Sequence, residues 1–117
     1  ELGPYYSEFD AVSREAGSLE VVFAADLVVG MSTSLLVEAA LLYRSTVSIV
    51  PRATEAQWLP ITAAGVTPCL TRREEIVPAL ADALRKSPVN MDELFPPGAT
   101  ARAMAALNEL QGREYII

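Results

Sequence analysis

Asp26-Leu-Val-Val-Gly30-Met-Ser32-Thr33-Ser34-Leu-Leu-Val-Glu38-Ala-Ala40 decides the fold of this 117-residue chain. Leu27–Val29 is short and wholly apolar, two of its three residues are β-branched, and Gly30 closes it. A parallel strand buried on both faces reads this way. Ser32, Thr33 and Ser34 are helix-capping residues. Leu35–Arg44 (LLVEAALLYR), rich in Leu and Ala, is the strongest helix in the sequence. Thr46–Val50 (TVSIV) is a second β-branched strand, stopped by Pro51.

Outward from this unit the same alternation continues. Phe9–Ser13 (FDAVS) alternates apolar and polar residues and is predicted as a short strand. Glu15-Ala16-Gly17 reads as a turn, with Ser18 as N-cap of a helix over Leu19–Ala25. Downstream, Ala56–Ala64 is predicted helical up to Gly65, and Pro60 confines the helix to its C-terminal turn. Val66–Leu70 is predicted as a strand, which Pro68 places at a sheet edge. Thr71-Arg72-Arg73-Glu74 has a capping-box pattern ahead of a helix to Arg85, which Pro78 is expected to delay or kink. Ser87–Gly98 holds three prolines and is irregular, and Thr100–Leu110 is a terminal helix with Met104, Leu107 and Leu110 on one stripe. The expected class is α/β: one domain over residues 1–117, with a parallel sheet and helices on both faces.

Composition narrows the function. Hydrophobic residues are 51% and charged residues 21% of the chain, which excludes disordered and fibrous classes. Nine basic against 15 acidic residues leave a net charge of −6, so no nucleic-acid partner is expected. With no histidine, His-based triads, bases and metal ligands are excluded within the chain, and no metal site is expected. The lone Cys69 permits no internal disulfide and fits a reducing compartment, read as a small apolar residue on a strand. No apolar run approaches the roughly 20 residues of a membrane span, and no leader is visible.

Chemistry is expected at the end of the first strand. In open α/β sheets ligands bind where strands end and loops enter helices. A helix N-terminus there offers free N–H groups and partial positive charge to a phosphate. Gly30 lets the backbone approach a ligand, and Ser32, Thr33 and Ser34 offer hydroxyl donors. The same hydroxyls equally serve as simple helix caps. Glu38, one turn into the helix among Leu35, Val37 and Leu42, would accept hydrogen bonds from ribose hydroxyls, or else occupies a solvated stripe or pairs with Arg44. Arg52, just past a strand end, is a candidate phosphate contact or a solvated loop residue. Asp26 and the Met104 stripe read as structural, Trp58 as a packing residue or a base-stacking one, and Arg72-Arg73 as cations at the same edge or a cover for a helix start.

The run ADLVVGMSTSLLVEAALLYRSTVSIVP resembles the donor-binding, C-terminal domain of GT-B fold glycosyltransferases, above all those that assemble bacterial surface polysaccharides. It is more distantly similar to the UDP-N-acetylglucosamine 2-epimerases. The resemblance spans residues 18–86. It implies a Rossmann-like domain, about half of a GT-B fold, in which Ser32, Thr33 and Ser34 contact phosphate and Glu38 binds the ribose of a nucleotide sugar. It implies no cofactor. It implies a glycan or lipid-linked acceptor, bound through a domain outside this chain, and a location in the cytoplasm or against the inner membrane face. Tyr43, Arg44 and Ser45 depart from the family's usual small-basic-proline sequence, and the His-Pro motif of related transferases is missing. No catalytic base is identified, so an isolated chain of this kind is expected to bind donor without turnover. Two other readings stay open: a non-enzymatic flavodoxin-like interaction module, and a fragment of a sugar-nucleotide epimerase.

Overall fold

The computed structural model describes residues 3–14 and 17–112. Helix α1 (Ser18–Ala24) leads to strand β1 (Leu27–Gly30), helix α2 (Ser34–Leu41), strand β2 (Ser45–Ile49), the short α3 (Pro60–Ala63), strand β3 (Cys69–Leu70), α4 (Arg73–Arg85) and α5 (Ala99–Gln111). Two 3-10 segments, Gly3–Glu8 and Ala53–Gln57, complete the order. The strands form one parallel sheet, β1-β2-β3, with Val28 opposite Thr46, Gly30 opposite Ser48 and Ser48 opposite Cys69.

β2 is the central strand, and its Thr46, Val47 and Ser48 are buried. Successive side chains alternate between faces. Val28, Gly30, Thr46 and Ser48 therefore share the face on which a Cβ at Gly30 would meet Leu36 of α2. Val47, fully buried, points to the opposite face, and the remaining element packed on β2 is α4. Helices thus cover both faces. On the α2 side, Leu36, Ala40, Ile61 and Met91 form the core, with Val28, Val37, Leu59, Val66 and Phe95 packed against it. The Thr46 and Thr67 hydroxyls, 2.7 Å apart, satisfy each other beneath it.

Several sequence expectations shift for local reasons. Leu27–Val29 and Thr46–Val50, expected as adjacent central strands, are adjacent, but Leu27–Val29 lies at the sheet edge, half-buried, with Val29 exposed. Residues 9–13 form no strand and pair with nothing in the sheet. The expected turn at 15–17 falls partly outside the described residues. Ser18 is the first helical residue of α1 rather than its cap, because the Gly17 carbonyl already accepts from the Glu20 and Val21 N–H groups.

α2 stops at Leu41, three residues short of Arg44, because the chain closes it with a Schellman turn: Arg44 N–H bonds the Ala39 carbonyl and Tyr43 N–H the Ala40 carbonyl. Tyr43 occupies the left-handed position, φ 58°, where glycine is usual. The expected helix 56–64 divides because Pro60 lacks an N–H and Leu59 is extended; Thr62 Oγ1 donates to the Ala56 and Leu59 carbonyls and ties the halves together. β3 is shorter than Val66–Leu70, since Val66 and Thr67 N–H groups bond the Ile61 carbonyl in the turn leaving α3.

The capping box at Thr71 does not form. Arg72, not Thr71, is the N-cap residue of α4, and it makes no side-chain cap. α4 runs through Pro78 as a continuous helix with an exposed flank. α5 forms as expected, but all of its residues are exposed. Met104, Leu107 and Leu110 therefore lie outside the core, and Arg102 is tied back to the Pro96 and Pro97 carbonyls.

Candidate functional site at the C-terminal edge of the sheet

All three strands run the same way, so their C-terminal ends share one edge. β1 delivers the loop 31–33 there, β2 delivers Pro51 and Arg52, and β3 delivers Thr71 and Arg72. The β1 loop is held by its neighbours. Ser48 Oγ on β2 donates to the Met31 carbonyl at 3.3 Å. An added Cβ on Gly30 would lie 3.1 Å from Thr33 Cγ2 and 3.4 Å from Leu36 Cγ, so the strand end, the loop and the first turn of α2 are in close contact. No sequence signal marks Ser48; the parallel register opposite Gly30 is what brings it to the loop.

The three hydroxyls divide in role. Thr33 is the N-cap of α2 and its Oγ1 accepts from Leu35 N–H at 3.3 Å, which matches the capping reading for that residue. Ser32 is half-buried and Ser34 is exposed at the first position of the helix. Glu38 follows Ser34 by four residues, which puts both on one face of α2. That face is open, and Glu38 is exposed, not enclosed by Leu35, Val37 and Leu42. Nor does it pair with Arg44, whose guanidinium sits 4.7 Å over the Phe23 ring. The apolar neighbours of Glu38 in sequence turn instead toward the core, where Leu36, Ala39 and Ala40 are buried.

Arg52 projects from the end of β2 with its side chain 72% exposed, and one terminal nitrogen bonds Glu55 Oε1 at 3.0 Å. Glu55 is only 5% exposed, and its second oxygen, Oε2, is buried with no hydrogen-bond partner. A buried carboxylate half-satisfied in this way is costly, and its attraction holds the guanidinium end of the Arg52 side chain. The sequence hinted at this pair only through its i,i+3 spacing.

Trp58, at the end of the 3-10 segment that holds Glu55, is 62% exposed and is not part of the core. Cys69 is half-buried on β3 as a free thiol. The edge therefore presents a helix N-terminus, serine hydroxyls, a carboxylate one turn along, and an anchored guanidinium. The N–H groups, hydroxyls and guanidinium can donate to an anion, and the carboxylate can accept from hydroxyl groups beside it. Among the described residues no group of three or more Cys, Asp or Glu could hold a metal ion, and no helix is long and apolar enough to cross a membrane. Comparison with known proteins finds no matching family model, no matching curated protein and no matching solved structure.

Proposed function

We propose that this chain is the nucleotide-sugar-binding half of a glycosyltransferase of Rossmann-like, GT-B type, which moves a sugar from a nucleotide donor to a glycan or lipid-linked acceptor. The observation that carries the reading is the strand–loop–helix at Gly30–Ser34. It sits at the C-terminal edge of a parallel sheet, with Glu38 exposed on the same helix face as Ser34. Gly30 and Ser32 bring backbone and hydroxyl donors to the phosphates. Thr33 orients the first turn of α2, whose N-terminal dipole favours negative charge. Glu38 accepts from the ribose hydroxyls, and Arg52 reaches toward the diphosphate from β2. As the bond to the sugar breaks, these donors stabilise the charge gathering on the departing phosphate. The acceptor and the catalytic base come from a second domain, so the chain alone binds donor without turning it over.

Titration with UDP, GDP and CMP tests this, with Tm as the readout. A nucleotide at 100 times its Kd stabilises by about 2.7 kcal/mol, or about 11 °C for a chain of this size. Glu38→Ala should weaken binding by about 1–3 kcal/mol and change stability by less than about 0.5 kcal/mol, because the residue is exposed and Ala favours helix. A nucleotide affinity unmoved by Glu38→Ala removes the ribose role. No Tm shift with any of the three nucleotides removes the function.

A further inference from the structure

The two edges of the sheet are not alike. β3 is protected in the usual ways: it is two residues long and Pro68 precedes it. β1 has four residues with no charge, no proline and no bulge, and pairs only on its β2 side. Its outer edge therefore leaves a row of backbone N–H and C=O groups without sheet partners among the described residues. Beside that edge runs a groove walled by Val21 and Val22 of α1, Ala25 just after it, Leu27 and Val28 of β1, and Leu35 of α2, with the polar Ser13 and Ser18 also in its lining. Val29 and Met31, 45% and 58% exposed, extend the apolar surface along the strand.

We propose that the outer edge of β1, with this groove, is the docking site for an extended, apolar β-strand flanked by basic residues, which adds to the sheet as a fourth strand. The alternating donors and acceptors of a strand edge are matched along their length only by another strand, and the groove takes that strand's inward side chains. Charge selects its ends. Between residues 8 and 26 the described residues carry the exposed carboxylates Glu8, Asp10, Glu20 and Asp26 and one cation, Arg14. Asp26 is exposed and lies between the groove residues Ala25 and Leu27, and Glu20 is exposed on α1 beside Val21. A second copy would bring the same carboxylates to the contact, with −6 on each chain. Like charges oppose that pairing, and Lys or Arg at the ends of a foreign strand favours its own. The groove lies on β1's flank and meets the nucleotide loops at Met31 and Leu35, and its test is read on β1 without nucleotide, so the two readings fail separately.

The test uses the full chain and the synthetic peptide Lys-Val-Thr-Val-Thr-Val-Lys, with hydrogen exchange followed by NMR at Leu27–Gly30. Saturating peptide should slow exchange of the outward amides of β1 at least tenfold. The same peptide with Glu in place of both Lys should bind several-fold more weakly, the difference shrinking in high salt. Val29→Lys, at an exposed position that leaves the fold intact, should weaken binding of the Lys peptide at least tenfold. Unchanged exchange at millimolar peptide overturns the proposal. Equal binding of the Glu and Lys peptides overturns the charge selection. Protection of β1 that appears without peptide and fades on dilution makes a second copy the occupant and overturns it as well.

Discussion

Leu36→Ala tests the contact on which the site loop rests. Leu36 is fully buried, in contact with Ala40, Ile61 and Met91, and its Cγ lies 3.4 Å from where a Gly30 Cβ would be. Removing a leucine side chain from such a place costs about 2–5 kcal/mol, transfer and cavity together. A core of helix, strand and loop side chains collapses only partly, so about 3 kcal/mol is the expected loss. With about 2.1 cal/mol/K per residue, a chain of this length has an unfolding entropy near ~0.25 kcal/mol/K, and the Tm falls by about 12 °C. The second half of the experiment is Gly30→Ala. In the parent its methyl would meet Thr33 Cγ2 at 3.1 Å and Leu36 Cγ at 3.4 Å, so crowding outweighs the gain from a better strand residue and the net loss is about 1 kcal/mol. Leu36→Ala removes the neighbour at 3.4 Å and leaves Thr33 Cγ2 at 3.1 Å, so it relieves only part of this crowding. The two changes then couple favourably by about 0.5 kcal/mol. Urea and thermal unfolding of the four proteins measure the cycle. A Leu36→Ala loss below about 1 kcal/mol, or additive effects within about 0.3 kcal/mol, would show that strand end and helix are not packed as described.

Two further changes address the ends of the same helix. Thr33→Ala should lower stability by about 1 kcal/mol through loss of the cap on Leu35 N–H, and Thr33→Ser should restore most of it in chemical denaturation. Tyr43→Gly should raise stability by about 0.5–1 kcal/mol, because it relieves a left-handed tyrosine whose one hydroxyl bond, to Asp92, is exposed and 3.4 Å long; an unchanged or lower urea midpoint contradicts the strain at φ 58°.

The strand–loop–helix–strand unit was legible because each of its signals is local. β-branched runs, a closing glycine, three capping residues and a Leu/Ala helix need no knowledge of what packs on them. Boundaries were less legible where tertiary contacts decide. Nothing local says that α2 ends at Leu41, since Tyr43 in the left-handed position is a poor stop signal and only the Arg44 and Tyr43 hydrogen bonds reveal it. Alternation over residues 9–13 reads as a strand, but a strand exists only with a neighbour to pair with, and none is formed there. Met104, Leu107 and Leu110 have the spacing of a core-facing stripe, and spacing cannot tell whether anything lies opposite.

Glu38 shows the same division within the site. Its apolar sequence neighbours suggest a carboxylate enclosed by them, yet the residues that share its helix face, Ser34, Leu35, Leu41 and Leu42, are exposed or only half-buried. Leu36, Ala39 and Ala40 turn into the core and leave Glu38 exposed beside Ser34. The reason for assigning it a ligand therefore changes. An enclosed carboxylate would need a partner to exist at all, whereas an exposed one needs none and costs the fold nothing. What favours a ligand is its position, one turn from the hydroxyl loop and on the same open face. Glu55 is the opposite case: enclosed, half-satisfied and hard to see in the sequence, it is the carboxylate that the fold constrains, and it acts by anchoring Arg52. At this edge the buried acid positions a cation and the exposed acid is the one proposed to meet a sugar hydroxyl, so on that proposal replacing Glu38 should be read in affinity and replacing Glu55 in stability.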